Sequence, residues 1–317
     1  MLTQSRALGS ILSSKVGSDD DDYTHQRLLL NSSPSRTTTG LKTCSLETLD
    51  SVLEYQLWEY TVDLDYPFND LLQFFVIWGS CNGLVCVASD VEAIYLLNPS
   101  TRKSKLLPDS GVKRRSVSVC AYGFGFDESN DDYKVVLIVP YHGMGDSVET
   151  KAMVYTLKTD SWRQIKGFSS GIPFRKFGKL VNGSLHWVVR DIIDSRYSFS
   201  IVSLHLGKET CSEVLQPNYG YALVQLELCV LKRCLGLLCG SPTNYTDVWI
   251  MKEYGMIDSW TKLFTIQDVT EPWFRQFSSP LCISKNEATP MTAVQERSDV
   301  DGFLGLSSEQ QFVLGGS

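Results

Sequence analysis

Lys158-Thr159-Asp160-Ser161-Trp162-Arg163-Gln164-Ile165 and Ile257-Asp258-Ser259-Trp260-Thr261-Lys262-Leu263 share an Asp-Ser-Trp core, the two tryptophans standing 98 residues apart. Halfway between them stands Glu209-Thr210-Cys211, which keeps the order acid, hydroxyl, apolar. Each copy follows a hydrophobic run, at residues 153–157, 200–204 and 247–251. A looser, earlier version runs from Ala93 through Asn98-Pro99-Ser100-Thr101 to Pro108. A second element recurs out of phase with the first: Asn82-Gly83, Asn182-Gly183, and Lys232-Arg233 in the corresponding place. The repeating unit is thus about 50 residues of turn, strand, hairpin and Trp-bearing strand, a period and content that match kelch-size blades. A small sheet cannot bury both its faces alone, so such units must stack. Trp162 and Trp260, each able to bury roughly 150–250 Å², are expected at the contacts between them. The expected fold class is therefore all-β, a kelch-like β-propeller with closure of the ring left open. A pair of β-sandwiches is the alternative.

Outward from the repeat, residues 41–285 consist of short runs rich in Val, Ile, Tyr, Trp and Phe, broken by Asn-Gly, Asn-Pro and Asp-Ser turns. That is strand patterning. Residues 48–58 are the best helical candidate, and a poor match to the helical period. Residues 1–40 combine Ser, Thr and the acidic run Asp19-Asp20-Asp21-Asp22, and read as a flexible arm. Residues 286–317 lose the alternation and read as a disordered tail, or a strand or two at most. Residues 141–150 and 191–198 read as variable loops open to a partner.

Composition excludes several classes of function. Of 317 residues, 43% are hydrophobic and 21% charged, with a formal net charge of −7. That charge argues against a general nucleic-acid or anionic-membrane surface. No stretch approaches the roughly 20 apolar residues of a transmembrane helix, and the start lacks the apolar core of a secretory signal. A cytoplasmic or nuclear location is expected, with an organelle transit peptide as the alternative. The nine cysteines sit mostly within apolar runs, as buried thiols of a reducing compartment do. Cys229, Cys234 and Cys239 are spaced too widely for a zinc site and have no histidine nearby.

Sites for chemistry are equally thin. Gly123-Phe124-Gly125 with Asp127 lacks the third glycine and following helix of a dinucleotide loop, and reads as a strand that another sheet approaches closely. His186, beside Trp187, reads as structural. Asp131 and Asp132 read as a solvated turn. The expectation is no catalytic, cofactor-binding or metal-binding residues, no cofactor, and no enzyme activity; a propeller enzyme is the alternative.

Several motifs resemble one family. Gly79-Ser80-Cys81-Asn82-Gly83-Leu84-Val85, Leu97-Asn98-Pro99-Ser100-Thr101-Arg102, Tyr122-Gly123-Phe124-Gly125-Phe126-Asp127, Asp131-Asp132-Tyr133-Lys134-Val135-Val136 and Asn182-Gly183-Ser184-Leu185-His186-Trp187 look like the F-box-associated interaction domain of plant F-box/kelch-repeat proteins. The resemblance runs from about Phe75 to Ser284 and continues through Asp258-Ser259-Trp260 to Phe264. It implies a protein-interaction module, the substrate-recognition part of an SCF-type ubiquitin ligase receptor. The implied partner is a protein substrate, with a Skp-type adaptor and cullin only where an F-box is present. The Leu-Pro and apolar stripes of an F-box are not visible before residue 75, where only Ser10-Ile11-Leu12-Ser13-Ser14 resembles the end of one and makes residues 1–40 a candidate F-box remnant, and the family's closing strands are not visible after Ser284. Residues 1–317 alone are thus expected to bind a target without recovering the adaptor. A degenerate copy that competes with full-length relatives, or has no partner, is the alternative.

Overall fold

Strand patterning dominates the computed structural model. It describes residues 6–12, 27–35, 38–45, 62–64, 76–88, 93–112, 121–142, 148–165, 168, 173, 177–193, 196–243, 245–267, 277–283, 290–295 and 312–314. Regular structure among them is antiparallel strand, apart from one 3-10 turn at Ile257–Ser259. The chain divides into two compact units, Met1–Ser89 with Leu96–Lys105 and Thr270–Ser317, and Asp90–Tyr95 with Leu106–Val269.

Six sheets follow in chain order, each a meander whose strands pair in sequence. The first contains β1 (Arg6–Leu12), β2 (Arg27–Ser35), β3 (Thr38–Ser45) and β4 (Val62–Leu64). The second contains β5 (Val76–Cys81), β6 (Leu84–Ala88), β7 (Ile94–Asn98) and β8 (Lys103–Leu106). The third contains β9 (Ala121–Asp127), β10 (Asp132–His142), β11 (Val148–Thr156) and β12 (Ser161–Ile165). The fourth contains β13 (Lys179–Val181), β14 (Ser184–Ile193), β15 (Arg196–His205) and β16 (Cys211–Val214). The fifth contains β17 (Gln225–Leu231), β18 (Cys234–Gly240), β19 (Tyr245–Met251) and β20 (Trp260–Gln267). The sixth contains β21 (Phe277–Ile283), β22 (Pro290–Gln295) and β23 (Phe312–Leu314). The outermost strands β12, β16 and β20 begin at residues 161, 211 and 260. The Asp-Ser-Trp period is therefore the period of the sheets.

The third, fourth and fifth sheets lie in the second unit and stack face on face. Val135, Val136, Leu137 and Ile138 of β10 are all fully buried, Val136 and Ile138 in the core shared with the fourth sheet. In β14 successive side chains alternate between two cores, as strand geometry requires. Leu185, Trp187 and Val189 join Val136, Ile138 and Val154 of the third sheet. Val188 joins Leu226, Leu228, Leu237 and Trp260 of the fifth. The hairpins set the register. Asn182 and Gly183 take φ of 49° and 68°, the left-handed pair that a two-residue turn needs between twisted strands.

The loop expectation is corrected. Residues 141–142 and 148–150 belong to strands β10 and β11, and residues 191–193 and 196–198 to β14 and β15, not to loops. Backbone pairing from His142↔Val148 and Ile193↔Arg196 inward carries both hairpins nearly to their tips. Residues 6–12 and 27–35, within the expected arm, pair as β1 and β2. Residues 290–295 and 312–314, within the expected tail, pair as β22 and β23. Such strands need no apolar alternation, since pairing uses backbone groups that every residue but proline has. The helical candidate at 48–58 lies outside the described residues.

The thiols match a packed interior. Cys86, Cys229 and Cys239 are buried and free. Burial pushes the Cys229 thiol up to about 12, and those of Cys86 and Cys239 higher. Such thiols hold little thiolate at neutral pH. A maleimide reagent should leave these three unmodified in the native chain and react with them once it is unfolded in urea. Rapid native labelling, mapped by mass spectrometry, would contradict the packing.

Candidate interaction surface

In an antiparallel meander the first and third hairpins lie at one end of the sheet and the second at the other. In the second unit like ends are stitched together by polar contacts at the first- and third-hairpin end. Lys134, at the start of β10, is 4% exposed and reaches Asp127 at 2.8 Å and Glu209 at 2.9 Å. Its Nζ also donates to the Leu206 carbonyl at 2.7 Å. Glu209 is further paired with Arg163. Burial alone would raise the Asp127 pKa, but hydrogen bonds from Asn130, Lys134 and Ser129, with the Lys134 charge, hold it well below the carboxylate range. The cluster joins the third sheet to the third hairpin of the fourth.

His186 makes the corresponding link between the fourth and fifth sheets. Its side chain is fully buried. Nδ1 lies 3.1 Å from the Lys179 carbonyl, an acceptor, so Nδ1 carries the proton. Nε2 then accepts from the Tyr254 hydroxyl at 2.8 Å. Burial, only partly offset by the backbone contacts, lowers its pKa to about 4. The unfolded imidazole titrates near 6.5, so the unfolded chain binds a proton that the folded chain refuses between those values. The stability linked to His186 is complete above about pH 6.5 and is lost as pH falls toward 4, by about 3 kcal/mol. Urea melts across this range should show His186→Gln losing less stability on acidification than the parent. Parallel curves would refute the linkage.

At the opposite end the central hairpins of the third and fourth sheets outrun their neighbours. β9 pairs with β10 only to Ile138, and β12 with β11 only to Ala152. Beyond these positions residues 139–142 and 148–151 form a two-stranded ribbon. In the fourth sheet β13 pairs no further than His186, and β16 no further than Ile201. Residues 190–193 and 196–199 form a second ribbon. Val224 and Tyr245, 39% and 42% exposed, lie at the same end of the fifth sheet. Among the described residues neither ribbon has a flanking strand, and such a ribbon offers backbone donors and acceptors on its outer edges, the groups that added strands use.

The residues singled out from the sequence have structural duties. Gly123 and Gly125 lie on β9, and a Cβ there would stand 2.6 Å from Leu185 and 2.7 Å from Leu180. Asp131 is exposed, but Asp132 is buried and accepts the Lys158 amide, so the expected solvated pair is split. Trp260 is 7% exposed and donates to the Leu215 carbonyl, 45 residues upstream. Trp162 repeats the device with the Pro108 carbonyl but remains half-buried. The most buried of these tryptophans, Trp187, lies outside the Asp-Ser-Trp repeat. Its indole and the Gly178 amide both donate to the Tyr122 carbonyl. The buried Lys134 was also missed; its signal is a single lysine interrupting an apolar strand beside Asp-Asp-Tyr. Among the described residues no group of three His, Cys, Asp or Glu side chains is placed to hold a metal, and no helix is long and apolar enough to cross a membrane.

Comparison with known proteins agrees with this architecture. The model of the F-box associated beta propeller domain matches residues 65–301, extending past Ser284, where the sequence motifs stop. The F-box protein CPR1 of Arabidopsis thaliana is 33% identical over 234 residues, covering 67% of this chain and 57% of the relative. An F-box/kelch-repeat protein of the same plant is 31% identical over 270 residues, covering 81% and 71%. A further F-box protein of that plant is 28% identical over 272 residues, covering 77% and 67%. The chain thus spans between 57% and 71% of the length of these relatives. Antiparallel sheets at a 50-residue period and a family match over three quarters of the residues lead to one assignment: this chain belongs to the F-box associated β-propeller family.

Proposed function

We propose that the chain is a protein-recognition module, the part of an SCF-type ubiquitin ligase receptor that grips the protein to be modified. Its relatives are F-box proteins, and the observation that carries the reading is the pair of ribbons at one end of the second unit. Residues 41–285 are its proposed body, flanked by 1–40 and 286–317. The proposed partner is a protein substrate in the cytoplasm or nucleus; a Skp-type adaptor and a cullin join through an F-box where one is present. Sheet frames hold such ribbons rigidly, which lowers the ordering cost of binding.

Proximity labelling in plant cells tests this. The chain, fused to a labelling enzyme, is compared with a variant whose tips at 141–149 and 191–198 are replaced by short Asn-Gly turns. The expected result is a reproducible set of labelled proteins that the variant loses at unchanged melting temperature. An identical set from both would overturn the ribbon surface as the contact site.

A further inference from the structure

The hairpin between β17 and β18 turns on Lys232 and Arg233, with φ of 49° and 61°. The equivalent turns are Asn82-Gly83 between β5 and β6, and Asn182-Gly183 between β13 and β14. Two successive left-handed residues are unfavourable for ordinary side chains, and Asn-Gly is the pair that relieves this. Here the relief is absent and two cations stand exposed at a strained tip. Strain of this kind persists where a site uses it.

A second feature shares that end of the sheet. The hairpin between β19 and β20 fills residues 252–259, against 157–160 between β11 and β12. It is pinned by the Tyr254 hydroxyl on His186, by the Gly255 amide on Met251 Sδ, and by Ser259 Oγ on the Glu253 and Met256 carbonyls. Although fixed, it leaves Tyr254, Met256 and Ile257 exposed by 37%, 56% and 42%. Clustered apolar exposure on an ordered tip marks a contact site. The register Gly236↔Ile250 and Met251↔Trp260 puts the basic turn and the apolar tip at one end. Exposed Lys252 adds positive charge there, and Glu253 and Asp258 oppose it. The local sign is positive on a chain of net charge −7.

We infer that this end of the fifth sheet docks a segment of a partner protein that carries acidic residues next to aliphatic ones. The carboxylates meet Lys232 and Arg233, and the aliphatic side chains meet Met256 and Ile257. The inference rests on the protein-recognition reading but uses the end away from the ribbons. The test pans a phage-displayed random peptide library against the full chain. Enriched peptides should place Asp or Glu within a few residues of Leu, Ile or Met, and salt should weaken their binding. Lys232→Asn with Arg233→Gly should bind them at least about tenfold more weakly, while melting at the same or a higher temperature. Met256→Ser with Ile257→Ser should lose binding similarly, and the ribbon-exchanged variant should keep it. Enrichment of peptides without acids, no enrichment, or equal binding by the Asn-Gly variant would each overturn the inference. A chain that labels its cellular proteins but enriches no such peptide would sink this inference alone. One that binds the peptide but labels nothing would sink the recognition reading alone.

Discussion

Trp187→Ala should destabilise the chain by about 3–5 kcal/mol, the range for emptying a buried tryptophan site. The side chain is fully buried in the core between the third and fourth sheets. Phe168 stands edge-on to it at 6.0 Å, and its indole donates to the Tyr122 carbonyl at 3.1 Å. The pocket cannot collapse easily, because it is walled by strands whose register is held by their own hairpins. Trp260→Ala should cost a similar amount, and Trp162→Ala clearly less, since Trp162 retains solvent contact. The same site resists added volume. A Cβ at Gly178 would lie 2.7 Å from the Trp187 ring, so Gly178→Ala should cost about 1–3 kcal/mol by overpacking. Urea denaturation midpoints check all four. A Trp187→Ala shift no larger than that of a Ser→Ala exchange within 286–317 would refute sheet stacking as the source of stability.

Lys134→Met should cost about 3–5 kcal/mol, for a different reason. Removing one member of a buried ionic cluster leaves the others desolvated and uncompensated. Here Asp127 would lose its cation while its own side chain stays 1% exposed, and the Leu206 carbonyl would lose its donor. The acid dependence should change as well. In the parent the Asp127 pKa is depressed, so its stabilisation is present above the unfolded value near 3.9 and is lost as pH falls below it. Without Lys134 that pKa rises, and the loss should begin at higher pH. Melts from pH 7 to 3 would show it, and an unchanged acid limb would mean that Lys134 contributes nothing to holding Asp127 ionised. Replacing Lys134, Asp127 and Glu209 together by apolar residues should be milder than the single change, because no buried charge is left uncompensated and Arg163, which loses Glu209, is half-exposed.

These two effects mark the boundary between what was legible in the sequence and what was not. The all-β class, the 50-residue period and the hairpin positions were readable directly. They depend on strand alternation and on residues such as Asn182-Gly183, whose left-handed pair is a property of two neighbours. The close approach at Gly123 and Gly125 was readable for the same reason, since a missing side chain is itself a local signal. Rank among the tryptophans was not. The repeat pointed to Trp162 and Trp260, yet burial went to Trp187, because burial depends on which sheet covers a strand. The ribbons were mistaken for loops, since nothing in residues 141–150 or 191–198 separates paired polar strand from coil. By itself the sequence determined the strands, the turns and their repetition, all set by interactions within a few residues or across a single hairpin. Only the tertiary structure decided the Lys134 cluster, the His186–Tyr254 link and the Trp187 pocket. Their sheet-to-sheet contacts, Lys134 with Glu209, His186 with Tyr254 and Trp187 with Tyr122, join partners 65 to 75 residues apart, a separation at which no local pattern can name the partner and only the stacking of sheets brings it into reach.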